Sequence, residues 1–125
     1  MKRLLLVDDE PGMTDFIQVV AQETSFEVRT SNRPADFMDS FRKFPPDAII
    51  LDLAMPGIDG VELLRWLAEE NCQARIVIIS GFDRRVLDAA GRMGEASGLK
   101  IVETLSKPIR LAAMREALKR LGQDS

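Results

Sequence analysis

Three short apolar runs stand out along the chain, at residues 4–7, 48–51 and 76–79. Each is about four residues long and each stops at polar or turn residues. The first runs into Asp8, Asp9 and Glu10. The second runs into Asp52, followed by Leu53, Ala54, Met55, Pro56 and Gly57. The third ends on Ser80 and Gly81. Apolar runs this short, bounded by turn residues, read as strands buried on both faces. Two weaker strands complete the set. Residues 26–30 alternate, with Phe26, Val28 and Thr30 set against Glu27 and Arg29. Residues 100–105 precede Ser106, Lys107 and Pro108.

Between the strands the period changes to that of a helix. Met13, Phe16, Ile17, Val20 and Ala21 recur at i, i+3, i+4, i+7 and i+8, one face of an amphipathic helix. Phe37, Met38, Phe41 and Phe44 form a second stripe, with Ser31 or Asn32 as the cap and Pro34 in the first turn. Pro45 and Pro46 end that helix. Leu63, Leu64, Leu67 and Ala68 give the third, with Trp66 on its flank and Asp59 and Glu62 at capping-box spacing. Residues 83–96 form the fourth, with Val86, Leu87, Ala90 and Met93 inward and Gly98 as its stop. The same helix reads as presenting Arg84, Arg85 and Arg92 to solvent. The last helix buries Leu111, Met114, Ala117, Leu118 and Leu121. The order is a β-α unit five times over, which predicts an α/β fold with a parallel sheet covered on both faces. No linker or repeat divides the chain, so residues 1–125 read as one domain.

Composition narrows the function. The chain has 125 residues, enough for one core without staples, and a net charge of −3, which leaves no electrostatic footprint for nucleic acid. The single cysteine, Cys72, excludes an internal disulfide and reads as a loop or helix-end residue. The apolar start stops too soon for a secretion signal, and no run reaches membrane-spanning length, so a cytoplasmic protein is expected. There is no histidine, which excludes histidine-based catalysis and histidine metal sites in this chain.

Parallel strands deliver their carboxyl ends to one edge, where ligands bind. Asp8 and Asp9, Asp52, Ser80 and Lys107 therefore converge on one rim. From its own stretch alone Asp52 is either a rim carboxylate or a solvated loop residue; the other strand ends favour the rim. Two like charges ~4 Å apart cost roughly 4 kcal/mol at an effective dielectric of about 20. Clustered carboxylates thus call for a cation. A hard divalent ion with oxygen ligands, such as Mg²⁺, fits, and Lys107 adds a point charge. A metal, an ammonium and the Ser80 hydroxyl around one carboxylate suit phosphoryl transfer to that carboxylate as nucleophile.

On these motifs the chain resembles a two-component response-regulator receiver domain over essentially its full length. The shared elements are Asp8-Asp9, Leu51-Asp52-Leu53-Ala54-Met55-Pro56-Gly57-Ile58-Asp59-Gly60, Ser80-Gly81 and Ser106-Lys107-Pro108. The resemblance implies a flavodoxin-like doubly wound sheet of strand order 2-1-3-4-5. It implies Asp52 as phospho-acceptor, with Asp8, Asp9, Asp52 and the Ala54 backbone carbonyl around Mg²⁺. Ser80 and Lys107 would contact the phosphoryl oxygens, and Pro108 would be structural. Phosphoryl groups would arrive from a histidine on a sensor kinase or phosphotransfer protein. The domain would be a signalling switch rather than an enzyme turning over small substrates.

Two features depart from the family pattern. Ser80 and Lys107 are 27 positions apart, several more than usual, with the surplus around residues 93–105. Thr104 stands where many receivers carry an aromatic switch residue, and the chain has no tyrosine. The switch region is therefore expected in Ser80, Gly81, Phe82 and Thr104, working without that ring. The longer segment resembles receivers that precede cyclic-di-GMP phosphodiesterase (EAL) domains, an output partner absent from these residues. Two other readings compete. Phosphohydrolases that form an aspartyl phosphate commonly carry a second Asp two residues after the nucleophile, where this chain has Ala54. A flavodoxin-like nucleotide binder would want a Gly-rich phosphate loop after the first strand, where Asp8 and Asp9 stand instead.

Overall fold

The computed structural model describes residues 2–53, 60–81 and 83–123. Ten elements alternate: β1 (Lys2–Val7), α1 (Pro11–Ala21), β2 (Phe26–Ser31), α2 (Pro34–Lys43), β3 (Ala48–Asp52), α3 (Gly60–Glu69), β4 (Arg75–Ser80), α4 (Arg84–Ala96), β5 (Lys100–Ser106) and α5 (Leu111–Gly122). The strands form one parallel sheet in the order β2-β1-β3-β4-β5, as the resemblance implies.

The alternation of each strand divides the core in two. Leu5, Val7, Ile49, Leu51, Ile76 and Ile78 point to one face, under Phe37 of α2, Leu63, Leu64 and Leu67 of α3, and Leu87 and Ala90 of α4. Leu4, Leu6, Ala48, Ile50, Val77 and Ile79 point to the other, under Ile17 and Val20 of α1 and Met114, Ala117, Leu118 and Leu121 of α5. β1, β3 and β4 are thus buried on both faces, which is why they are continuous apolar runs.

Several expected details differ. Arg33, not Ser31 or Asn32, is the N-cap of α2, without a side-chain cap bond. Ser31 is instead the last residue of β2, where its carbonyl accepts the Asp8 N–H at 3.1 Å. Thr30 is exposed, because it lies at the open end of an edge strand. Val86 and Leu111, expected inward, are 48% and 44% exposed. Both sit in the first turn of a helix, where the chain overhangs the sheet. The inward face of α4 is completed by Gly91 and Gly94; Met93, like Met38 and Phe41 of the second stripe, is only half-buried. A Cβ on Gly91 would stand 3.0 Å from the Thr104 methyl, and one on Gly94 3.0 Å from Ile101, so these glycines let α4 lie close on β5. Gly98 ends α4 with φ of +92°, a left-handed stop open to glycine. The Asp59 cap, expected before α3, lies outside the described residues.

The surplus length of the Ser80–Lys107 segment takes a definite form at its end. Ile76 pairs with Ile101, but Val77 pairs with Glu103, so Val102 is an extra residue in β5. A one-residue bulge reverses the facing of everything beyond it. It puts Leu105 against the α1–α5 side and Thr104 against α4.

Candidate functional site

The rim is built from the carboxyl ends of β1, β3, β4 and β5, and backbone bonds carry the ladder one step past the strands. Asp8 N–H donates to Ser31 O at 3.1 Å, Leu53 N–H to Ile79 O at 3.0 Å, and Lys107 N–H to Ser80 O at 2.8 Å. The side chains at these positions therefore start from fixed backbone. Asp8 and Asp52 follow the parity of Leu6 and Ile50, so both lean to the α1–α5 side of the sheet. The Val102 bulge gives Lys107 the same side.

The three side chains meet there. Lys107 Nζ is 3.2 Å from Asp52 Oδ2, 3.1 Å from Asp8 Oδ2 and 2.7 Å from Glu10 Oε1. Asp8, Asp52 and Ser80 are fully buried, and the Lys107 side chain is 12% exposed. Asp8 Oδ1 accepts the Glu10 N–H at 2.9 Å. Burial pushes the Asp8 carboxyl up to about 6, opposed by the Glu10 N–H, reinforced by the Asp52 charge and opposed again by Lys107. Burial pulls on Lys107 in the other direction, toward loss of its proton. The close Glu10 and Asp8 carboxylates and the Asp52 charge outweigh it, so Lys107 is held above its ordinary range.

The structure thus brings Asp8, Asp52, Ser80 and Lys107 to one rim. Asp9 is half-buried and faces a neighbouring cleft of about 460 Å³, shared with Asp8, Thr14, Ser31 and Asp36. Thr104 lies on the far side of β5, where its carbonyl and hydroxyl both accept from Arg84, each at 3.3 Å. Arg84 is therefore not simply a solvated residue. Pro108 is exposed and follows a cis peptide bond. Gly81 is exposed; Ala54 and Phe82 lie outside the described residues. Glu10 is the residue that sequence reasoning passed over. It continues the Asp8-Asp9 run, but nothing local in the sequence signals its contact with a lysine 97 positions away.

Carboxylate oxygens of Asp8, Glu10 and Asp52 all lie within 4.8 Å of one another. Asp8 Oδ2 is buried and makes no hydrogen bond among the described residues, although Lys107 stands beside it. A buried carboxylate oxygen short of a partner, in an all-oxygen donor set, fits a hard divalent cation.

The family model for the response regulator receiver domain matches residues 4–119. The chain belongs to that family. It is 31% identical to a response regulator from Colwellia psychrerythraea, whose crystal structure superposes with a TM-score of 0.81 over 96% of this chain and 95% of that one. It is 26% identical to the response regulator TrrA of Thermotoga maritima, solved in complex with Mg²⁺ and BeF, with a TM-score of 0.79 over 97% and 99% of the two chains. Among curated proteins it is 26% identical over 118 residues to the transcriptional regulatory protein TrcR of Mycobacterium tuberculosis. That alignment covers 94% of this chain but 46% of TrcR, so the chain spans about half the length of that relative.

Proposed function

We propose that residues 1–125 form one receiver domain in which Asp52 is the phospho-acceptor of a two-component system. The observation that carries the reading is Asp52 itself, a buried carboxylate at the end of a central strand, 3.2 Å from a lysine ammonium and beside a second buried carboxylate. A carboxylate nucleophile needs no general base. An Asp52 oxygen bonds to phosphorus as the bond from phosphorus to the donor breaks, and the leaving group takes that electron pair. Lys107 neutralises charge on the phosphoryl oxygens, and Ser80, buried at the end of β4, offers a hydroxyl donor to them. Asp8, Asp9, Asp52 and the Ala54 carbonyl would hold Mg²⁺, which when bound offsets the remaining negative charge; the TrrA complex supports that choice of ion.

The natural donor on this reading is a histidine phosphate of a sensor kinase or phosphotransfer protein, in keeping with membership of the receiver family; the lack of histidine in this sequence is no obstacle, because the donor histidine belongs to the partner. The domain acts as a switch and not as an enzyme on small phosphoesters, because Ala54 stands where such hydrolases place a second acid. Among the described residues no helix is long and apolar enough to cross a membrane, which agrees with a cytoplasmic site of action. An EAL-type phosphodiesterase is the output that the lengthened Ser80–Lys107 segment favours. The test is labelling by acetyl phosphate, with acetate as the leaving group. The wild-type protein is expected to take up one phosphoryl group only with Mg²⁺ present, and Asp52→Asn none. Undiminished labelling of that variant would remove Asp52 as the acceptor.

A further inference from the structure

An ammonium carries three N–H donors and no acceptor. Lys107 faces three carboxylates, all within 3.2 Å. It donates hydrogen bonds to two of them, Glu10 Oε1 at 2.7 Å and Asp52 Oδ2 at 3.2 Å, so an anion arriving at the ammonium competes with these bonds. The three are not equivalent. Asp8 and Asp52 are buried at strand ends, whereas the Glu10 side chain is 61% exposed. Of the three, Glu10 is the one exposed to solvent, and it makes the shortest contact, 2.7 Å.

We propose that the Glu10 carboxylate is a placeholder on Lys107, occupying the position an incoming phosphoryl oxygen takes and yielding it when Asp52 is phosphorylated. The proposal rests on Asp52 as acceptor. Glu10 does not bond to phosphorus; it is a positioning residue that acts through Lys107. An exposed side chain is the cheapest of the three partners to release, since water solvates its charge at once. Its backbone stays in place, because the Glu10 N–H remains bonded to Asp8 Oδ1 at 2.9 Å.

Glu10→Gln and Glu10→Ala test this. Glu10 is the N-cap residue of α1 but makes no side-chain cap bond, so both variants are expected to fold. Two quantities are read. The first is the rate of labelling per mole of acetyl phosphate, at low donor and saturating Mg²⁺. The second is the rate at which an amine-reactive ester modifies Lys107 in metal-free protein, followed by mass spectrometry. Both are expected to rise, each by roughly two- to fivefold, the range an exposed ion pair spans. A variant that had merely lost structure would label more slowly. Labelling no faster than wild type in both variants overturns the proposal, even with Lys107 more reactive, because Glu10 would then anchor the ammonium for the reaction. Unchanged Lys107 reactivity overturns it as well. No label on the wild-type protein would instead sink Asp52 as acceptor, and the placeholder with it.

Discussion

Asp8 bears the electrostatic cost of the site. In the folded protein its carboxyl is raised from the ordinary 3.8 to about 6, by burial first and by the Asp52 charge against the pull of the Glu10 N–H and Lys107. Between those values the folded state binds more protons than the unfolded one. Its contribution to stability is therefore fully present below the unfolded value and is lost as pH rises through about 6. At pH 7 the metal-free protein must keep Asp8 ionised in a buried place, at a cost of about 2–3 kcal/mol. Asp8→Asn keeps the shape and removes that charge. It is expected to stabilise the metal-free protein by about that amount at pH 7, with the gain fading toward pH 4. Urea unfolding in a chelator across this range measures it. A wild-type to variant difference that stays flat with pH would show that Asp8 is not the group responsible.

Among the elements, the rim depends on how closely the chain folds back after β3. Gly60 opens α3, and a Cβ there would lie 2.5 Å from the Leu53 Cα and 2.7 Å from its carbonyl oxygen. Both are backbone atoms next to Asp52 and cannot turn aside. Gly60→Ala is expected to destabilise the fold by at least about 2 kcal/mol in urea and to slow labelling of Asp52 by moving the strand end that carries it. Wild-type stability in that variant would mean that α3 shifts at no cost. Asp8, Asp52, Ser80 and Lys107 were legible in the sequence because each ends a strand, and strand ends share an edge. Ser31 misled as a cap because its place is fixed by a bond that no local pattern reveals, its carbonyl receiving Asp8 N–H from the neighbouring strand. The surplus length after Ser80 was visible, but not its form. Only the register shows that Val102 is the extra residue in β5 and that it sends Lys107 toward Asp52 and Thr104 toward α4.

Across the whole molecule, one connected path leads from the carboxylate rim to an outer helix. Lys107 N–H is bonded to Ser80 O, so β4 and β5 leave the site tied together. Two and three residues before Lys107 in the bulged strand, Leu105 faces the α1–α5 core and Thr104 faces α4. Arg84, in the first turn of α4, donates to the Thr104 carbonyl and hydroxyl at 3.3 Å and to Ser106 Oγ at 3.4 Å, and pairs with Asp88 at 3.2 Å. No aromatic ring is needed for such a path. A new charge on Asp52 draws on Ser80 and Lys107, and the neighbouring Ser106 and Thr104 carry the displacement to Arg84. The largest phosphorylation-dependent changes are therefore expected between Ser80 and Leu105. Hydrogen exchange with and without beryllofluoride measures them by segment. Thr104→Ala leaves the carbonyl that Arg84 grips and is expected to retain the change in α4. Arg84→Ala removes every one of these contacts and is expected to lose most of it while Asp52 is still labelled. If α4 responds as strongly in Arg84→Ala as in the wild type, or if exchange alters only around Asp8 and Asp52, the signal takes another route.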